Sequence, residues 1–262
     1  MSAADVVARL RAAGCVWAED EAALLEAAAT DSAGLEVLVA RRVAGEPLET
    51  VLGWVEFLGR RLTVVPGVFV PRRRTELLAR TTLREVGALS DRPVVVELCC
   101  GVAPVAACLD GTAAEVHAAD LDVTALDCGR TNAPTATLHL GDLYDALPDL
   151  LRGRIEVLTA NAPYVPTGRI ADMPPEARDH EPHLALDGGR DGVDLHRRIA
   201  AGAPEWLAPG GVLLVETSPG QATLTAAAMQ AAGLATSVEL DPEVGGCLAV
   251  GRLSPRGAGE RA

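Results

Sequence analysis

From residue 93 onward, short apolar runs alternate with stretches of helical spacing, and this alternation restricts the fold more than any other feature of the chain. The runs predicted to be strands are 94–98, 115–119, 136–140, 155–160, 211–216, 235–240 and 246–252. The helices predicted between them include 123–132, 194–207 and 219–232. Strands that are apolar along their whole length are buried on both faces, so the pattern predicts an α/β fold with a mostly parallel sheet covered by helices. The short connection 241–243 between the last two strands favours an antiparallel pair.

The part of the chain before the sheet has two different patterns. Residues 1–45 place apolar side chains at helical spacing, which predicts a small helical unit. Residues 52–71 carry β-branched side chains interrupted by Gly and Pro, which predicts a β-hairpin. We expect four units: a helical domain for substrate recognition at 1–50, a hairpin linker at 51–75, the main domain at 76–255 and a flexible tail at 256–262.

The charge of the chain restricts its partners. The formal net charge is −13, and all 23 basic residues are arginines. This negative net charge argues against sequence-independent binding to a nucleic-acid backbone. No sequence-specific nucleic-acid binding is expected either. The run Arg72-Arg73-Arg74 is the one candidate for a local basic patch, with a solvated turn as the alternative. A chain without lysine also lacks the lysine that a P-loop nucleotide site requires.

We find no sequence pattern that would direct the chain to a membrane or out of the cell. No stretch approaches the ~20 apolar residues of a membrane span, and the N-terminus lacks the basic start and apolar block of a secretory signal. The six cysteines show no CxxC spacing, so reduced, mostly buried thiols are expected rather than a metal site. These features predict a cytoplasmic protein.

Acidic residues follow three successive predicted strands. Glu97, Asp120 and Asp142 each come at or just after the end of an apolar run. In an open parallel sheet, ligands bind beyond the carboxyl ends of the strands, where an acidic side chain can hold ribose hydroxyls. The loop after Glu97 leads into a helix that can begin at Pro104. This edge suits a positively charged sulfonium nucleoside better than a pyrophosphate.

The fourth predicted strand ends on Asn161-Ala162-Pro163-Tyr164. The side-chain oxygen of Asn161 and the backbone carbonyl of Ala162 can accept one N–H each from a bound group. Pro163 restricts residue 162 to extended geometry, which would aim its carbonyl outward. The alternative is an ordinary strand-ending turn, in which Asn and Pro are common.

The order of these parts resembles the protein-(glutamine-N5) methyltransferases of the HemK/PrmC group, which modify peptide chain release factors. "GEPLETVLGWVEFLGRRLTVVPGVFVPRRRTELL" (45–78) is similar to the linker hairpin of that family. "EPHLALDGGRDGVDLHRRIAAGAPEWLAPGGVLLVETSPGQ" (181–221) resembles its segment after the active-site motif. The resemblance implies a class I S-adenosylmethionine-dependent methyltransferase: a Rossmann-like fold with a seven-stranded, mostly parallel sheet, a small N-terminal helical domain and a linking β-hairpin.

The resemblance also implies roles for individual residues. S-adenosylmethionine would be the cofactor, and a protein carrying a glutamine, a class I release factor, would be the substrate. The implied catalytic residues are Asn161, Ala162, Pro163 and Tyr164, which would hold the substrate amide. Because an amide nitrogen is a poor nucleophile, such a site must hold its N–H groups on oriented acceptors, and Tyr164 could pack against the flat amide. The implied cofactor-binding residues are Glu97, Cys99, Cys100, Gly101, Val102, Ala103, Asp120, Leu121, Asp142, Leu143 and Asn161.

The chain departs from the family pattern at three places. The loop at 99–103 reads Cys-Cys-Gly-Val-Ala where the family prefers Gly-x-Gly-x-Gly, Ala162 replaces a proline, and 72–76 reads Arg-Arg-Arg-Thr-Glu instead of Arg-Pro-Glu-Thr-Glu. Three other functions therefore stay open. They are methylation of a nucleic-acid base, methylation of another amide or amino group in a ribosomal protein or small molecule, and a binding protein that kept the fold without activity.

Overall fold

The computed structural model describes residues 2–89 and 92–255, and the expected tail at 256–262 lies outside them. Four helices come first: α1 (Ala3–Ala12), α2 (Ala18–Ala28), α3 (Ser32–Val43) and α4 (Leu48–Leu52). They enclose a separate apolar cluster that includes Leu10, Leu25 and Val39. The predicted hairpin follows as β1 (Trp54–Phe57) and β2 (Arg60–Thr63), which pair antiparallel.

The main body is a seven-stranded sheet between two layers of helices, which confirms the predicted fold class. Its strands are β3 (Val94–Leu98), β4 (Glu115–Asp120), β5 (Thr137–Leu140), β6 (Ile155–Ala160), β7 (Leu207–Glu216), β8 (Ala235–Asp241) and β9 (Gly246–Arg252). The helices are α5 (Glu76–Gly87), α6 (Pro104–Leu109), α7 (Val123–Asn132), α8 (Pro175–His180), α9 (Asp194–Trp206) and α10 (Ala222–Ala231). All seven predicted strands and all three predicted helices are present, with ends that shift by a few residues at most.

The order of the strands is β5-β4-β3-β6-β7-β9-β8. The last strand of the chain, β9, runs antiparallel to both of its neighbours, β7 and β8. Strand β9 therefore lies inside the sheet, between β7 and β8, and not at the edge of the sheet. This position agrees with the almost continuous burial of its residues. The remaining pairs are parallel, as predicted.

Strand order reverses between β3 and β6, which creates the crevice where such sheets bind ligands. Leu98, the last residue of β3, is in register with Ala119 of β4 and Ala160 of β6. Because parallel strands in register end at the same edge, the loops that follow β3, β4, β5 and β6 meet there. Helices α5, α6 and α7 cover one face of the sheet, and α9 and α10 cover the other. Among the described helices, none has both the length and the apolar character needed to cross a membrane.

Candidate active site

A cavity of about 850 Å³ opens at this edge of the sheet. Nearly all of the residues predicted for the site line it: Glu97, Cys99, Cys100, Gly101, Val102, Asp120, Leu121, Asp142, Leu143, Asn161, Ala162, Pro163 and Tyr164. Ala103 is the exception, since it is fully buried behind the loop, where its methyl group lies near Gly129. The register of the sheet thus brings four separate sequence segments around one space.

The loop after β3 has an alternating backbone conformation. Cys99, Gly101 and Ala103 have φ angles of 51°, 52° and 60°, so two non-glycine residues occupy the left-handed region. These are the positions at which the family pattern has glycine. A Cβ at residue 101 would meet open space. The loop therefore has the backbone shape expected of the glycine-rich pattern although two of the glycines are replaced. The left-handed conformation costs free energy at Cys99 and Ala103, because each carries a Cβ.

Glu97 anchors the helix that follows this loop. Its carboxylate accepts hydrogen bonds from the backbone N–H groups of Val105 (3.2 Å) and Ala106 (2.8 Å) in the first turn of α6. Burial raises the pKa of the Glu97 carboxyl to about 8, while these two donors oppose the rise. Glu97 thus holds the loop in place and lines the cavity at the same time.

Two further carboxylates complete the acidic edge. Asp120 accepts from the backbone N–H groups of Gly101 (2.7 Å) and Asp122 (2.9 Å), one on each oxygen. Its pKa is raised, because burial outweighs the effect of these donors. Asp142 accepts from Nη2 of Arg198 at 2.8 Å, and both side chains remain partly open to solvent. Each carboxylate keeps free acceptor positions toward the cavity.

The motif after β6 is connected to the hairpin exit. Nδ2 of Asn161 donates to Oγ1 of the buried Thr75 at 3.3 Å. Among residues 2–89 and 92–255, no protein donor occupies Oδ1 of Asn161, so that oxygen is free to accept from a ligand. Ala162 follows with its side chain buried, and it lines the cavity beside Asn161.

Tyr164 belongs to a charged network that the local sequence patterns do not predict. Its hydroxyl donates to Oε1 of Glu216 at 3.2 Å, and Nε of Arg74 donates to the same oxygen at 3.2 Å. The Arg74 guanidinium lies 5.6 Å from the centroid of the Tyr164 ring. Glu216 is fully buried at the end of β7, and burial raises its pKa. Glu216 ends an apolar run as Glu97 does, so the same sequence signal would have found it.

The three consecutive arginines have different environments. Arg72 pairs with the buried Glu181 (2.6 Å to each carboxylate oxygen), and Arg74 pairs with Glu216. Only Arg73 is exposed. Two of the three arginines therefore form intramolecular ion pairs at the cavity. The run is neither a continuous basic patch nor a simple solvated turn.

The five histidines show no metal-ligand spacing in the sequence, which predicts surface or helix-cap positions, but this prediction is wrong for two of them. His117 and His196 are buried. Nδ1 of His196 shares a 2.9 Å hydrogen bond with Oγ1 of Thr225, and its ring is tilted against Tyr164 with the centroids 6.3 Å apart. Burial lowers the pKa of His196 to about 4, opposed by the nearby backbone carbonyl of Ala162. His196 thus supports the motif from behind as a neutral imidazole.

Comparison with known proteins decides the family. No family model matches the chain. It is 40% identical over 184 residues to a release factor glutamine methyltransferase of Streptomyces coelicolor, covering 68% of this chain and 65% of that relative. It is 36% identical over 223 residues to a release factor glutamine methyltransferase of Cereibacter sphaeroides, covering 82% of this chain and 77% of the relative. The chain belongs to this family.

Two other similarities extend the picture. A 4-amino-L-phenylalanine/4-methylamino-L-phenylalanine methyltransferase of Streptomyces pristinaespiralis is 37% identical over 203 residues, covering 74% of this chain and 69% of the relative. The chain therefore belongs to the release factor glutamine methyltransferase family and is also similar to a protein named for a small-molecule acceptor. A methyltransferase structure from Pyrococcus furiosus aligns with a TM-score of 0.54 at 12% identity, covering 82% of this chain and 97% of that one. That similarity supports the class I methyltransferase fold.

Proposed function

We propose that this chain transfers a methyl group from S-adenosylmethionine to the side-chain amide nitrogen (N5) of a glutamine in a protein, a class I peptide chain release factor. The observation that carries the proposal is the fixed amide of Asn161. The hydroxyl oxygen of Thr75 accepts an N–H of the Asn161 amide. The amide oxygen of Asn161 therefore stays available to a substrate at the edge of the cavity. The family membership supports the same reaction. We include a cytoplasmic location in the proposal, and we expect the helices at 1–50 to contact the protein substrate.

The acidic half of the cavity fits S-adenosylmethionine. Pockets that hold molecules of this size are roughly 300–1,000 Å³, and this cavity is about 850 Å³. Asp120 would hold the ribose hydroxyls, Asp142 and Leu143 would flank the adenine, and the open side of Gly101 would let the cofactor approach the backbone. When bound, the cofactor supplies an electrophilic methyl group on a positively charged sulfur. Asp120 would favour that charge electrostatically.

Asn161 and Ala162 would prepare the acceptor nitrogen. Oδ1 of Asn161 and the carbonyl of Ala162 would each accept one N–H of the target amide, which turns the nitrogen lone pair toward the donor. Tyr164 would pack against the flat amide, and Glu216 keeps that ring in place through its hydroxyl. Most of the rate enhancement would come from this positioning, since no basic side chain stands in the motif.

A second candidate is methylation of the amino group of a small molecule. The similarity to the 4-amino-L-phenylalanine methyltransferase favours it, and so does the guanidinium of Arg74 in the cavity wall. Asn161 and the carbonyl of Ala162 accept N–H groups from an arylamine as readily as from an amide.

The decisive experiment incubates the purified protein with methyl-labelled S-adenosylmethionine and one acceptor at a time: a release factor, 4-amino-L-phenylalanine or an oligonucleotide. The matched control is a release factor whose target glutamine is replaced by alanine. Label on the intact release factor and none on the control supports the proposal. Label on the amino acid alone supports the second candidate. Cofactor binding in calorimetry without transfer to any acceptor would refute both.

A further inference from the structure

The guanidinium of Arg74 is an unusual feature of the cavity wall. Its Nε donates to Glu216, and its side chain is 42% exposed. Four N–H donors remain on its two terminal nitrogens. The Tyr164 hydroxyl oxygen lies beside them and can accept one of these N–H groups while it donates its own proton to Glu216. Arg74 therefore presents unused donors to the cavity.

Within residues 2–89 and 92–255, two other arginines line the cavity, and both have different partners. Arg72 uses Nη2 to contact both oxygens of Glu181 at 2.6 Å and lies 5.1 Å from the centroid of the Phe69 ring. Arg198 pairs with Asp142 at the cofactor side. Arg74 differs because its carboxylate partner lies behind it, fully buried, and contacts only Nε. Glu216 thus fixes the guanidinium from the rear and leaves its other face for a ligand.

Arg74 is also close to the position proposed for the acceptor nitrogen. The next residue, Thr75, accepts the hydrogen bond from Asn161. The guanidinium itself lies over the ring of Tyr164, at the other end of the 161–164 motif. A molecule whose nitrogen is held by Asn161 and Ala162 therefore has neighbouring groups within reach of Arg74.

A target amide oxygen is a poor partner for this cation. A positive charge on that oxygen draws the nitrogen lone pair further into the carbonyl and weakens the nucleophile. A carboxylate is the better partner, because a guanidinium binds both of its oxygens in one plane. Asp120 repels a carboxylate from the cofactor side, which leaves the Arg74 side as the favoured position.

We infer that Arg74 binds a carboxylate carried by the methyl acceptor and makes the enzyme selective for anionic acceptors over neutral ones. The inference rests on the proposed methyl transfer at the 161–164 motif. The carboxylate can come from two sources: the α-carboxylate of a free amino acid, or an acidic side chain next to the target glutamine of a protein.

The test uses acceptors in matched pairs. One pair is 4-amino-L-phenylalanine and its α-carboxamide, and the other is a glutamine peptide with Glu or Gln at the neighbouring position. In each pair that is methylated, the wild-type protein should prefer the carboxylate form. Arg74→Gln should lower the ratio of kcat/KM for the carboxylate form to kcat/KM for the neutral form by at least about tenfold, mainly through a higher KM for the carboxylate form. The pair that shows the preference identifies the source of the carboxylate.

Two variants separate recognition from folding. Arg73→Gln removes the exposed neighbouring charge and should leave all KM values unchanged. Arg74→Lys keeps the charge beside Glu216 but loses the planar donor pair, so it should fold and recover only part of the preference. If Arg74→Gln does not fold, Arg74→Lys carries the test. Equal KM changes for the charged and neutral acceptors, in either variant, would overturn the inference.

Failure of the proposed reaction is distinguishable from failure of this inference. If no acceptor is methylated although the cofactor binds, the proposed function fails. The complex with S-adenosylhomocysteine can then be titrated with the same acceptor pairs by calorimetry. Tighter binding of the carboxylate form that Arg74→Gln abolishes supports the role of Arg74 independently of turnover. No difference between the two forms contradicts it.

Discussion

The side-chain amide of Asn161 and the hydroxyl of Thr75 are joined by a 3.3 Å hydrogen bond between the end of β6 and the exit of the hairpin. This contact fixes which end of the amide faces away from the protein. It also couples the proposed substrate motif to a segment 86 residues earlier in the chain. The hairpin exit therefore belongs to the candidate site as much as the motif does.

Asn161→Ala should abolish methyl transfer while the cofactor still binds. The variant removes the acceptor proposed for the target N–H, and the loss of one preorganised hydrogen-bonding group typically costs about 100-fold or more in kcat. Initial rates with labelled cofactor measure kcat, and calorimetry measures the Kd of S-adenosylmethionine. Unchanged turnover would contradict the assigned role.

Thr75→Val should lower kcat by about fivefold with little effect on cofactor affinity. The substitution keeps the volume of the buried side chain and removes the oxygen that orients Asn161, which costs about 1 kcal/mol. In the Asn161→Ala background the same change should have a much smaller effect, because the contact is already lost. Additive losses in the double variant would show that Thr75 acts by another route.

Gly101→Ala and Gly87→Ala should change stability in opposite directions. At residue 101 the backbone has a φ of 52° and a new Cβ meets open space, so the cost of roughly 1–2 kcal/mol is conformational and not steric. Gly87, the last residue of α5, also has open space around it and lies in a helix, where alanine is favoured by roughly 0.5–1 kcal/mol. Urea unfolding of both variants measures the difference. Two changes of the same sign would exclude this explanation.

The neutral, buried His196 should make the protein sensitive to acid. The pKa of His196 falls from 6.5 to about 4 in the folded state. Between these two pH values the unfolded chain binds a proton at His196 that the folded chain does not bind. Stability should therefore decrease as the pH falls from about 6.5 to about 4, by up to about 3 kcal/mol from this residue. His196→Gln keeps a partner for Thr225 and cannot titrate, so its profile should be flatter. Parallel profiles for the two proteins between pH 7 and 4 would rule out this contribution.

Two ion pairs with different burial should contribute very differently to stability. Arg42 and Glu21 are 2.7 Å apart in the helical N-terminal region, and both side chains are only 10% exposed. Glu21→Gln leaves the buried guanidinium with only the more distant carboxylate of Glu176 (3.5 Å) and should lower the free energy of unfolding by about 2 kcal/mol. The more exposed pair of Arg198 and Asp142 should matter less, with Arg198→Gln costing below about 1 kcal/mol. Chemical denaturation monitored by circular dichroism provides both values.

The layered fold and most of the cavity lining follow from the amino-acid pattern alone. Continuous apolar runs such as 94–98 are stable only when both faces are covered, and strands in parallel register end at one edge, so Glu97, Asp120 and Asn161 had to meet. The tertiary structure decided what surrounds these residues. Arg74 and Glu216 lie 142 positions apart in the chain, and no local spacing predicts their contact. Burial of Glu216 requires a compensating cation, and the hairpin brings Arg74 to that place only in the folded molecule.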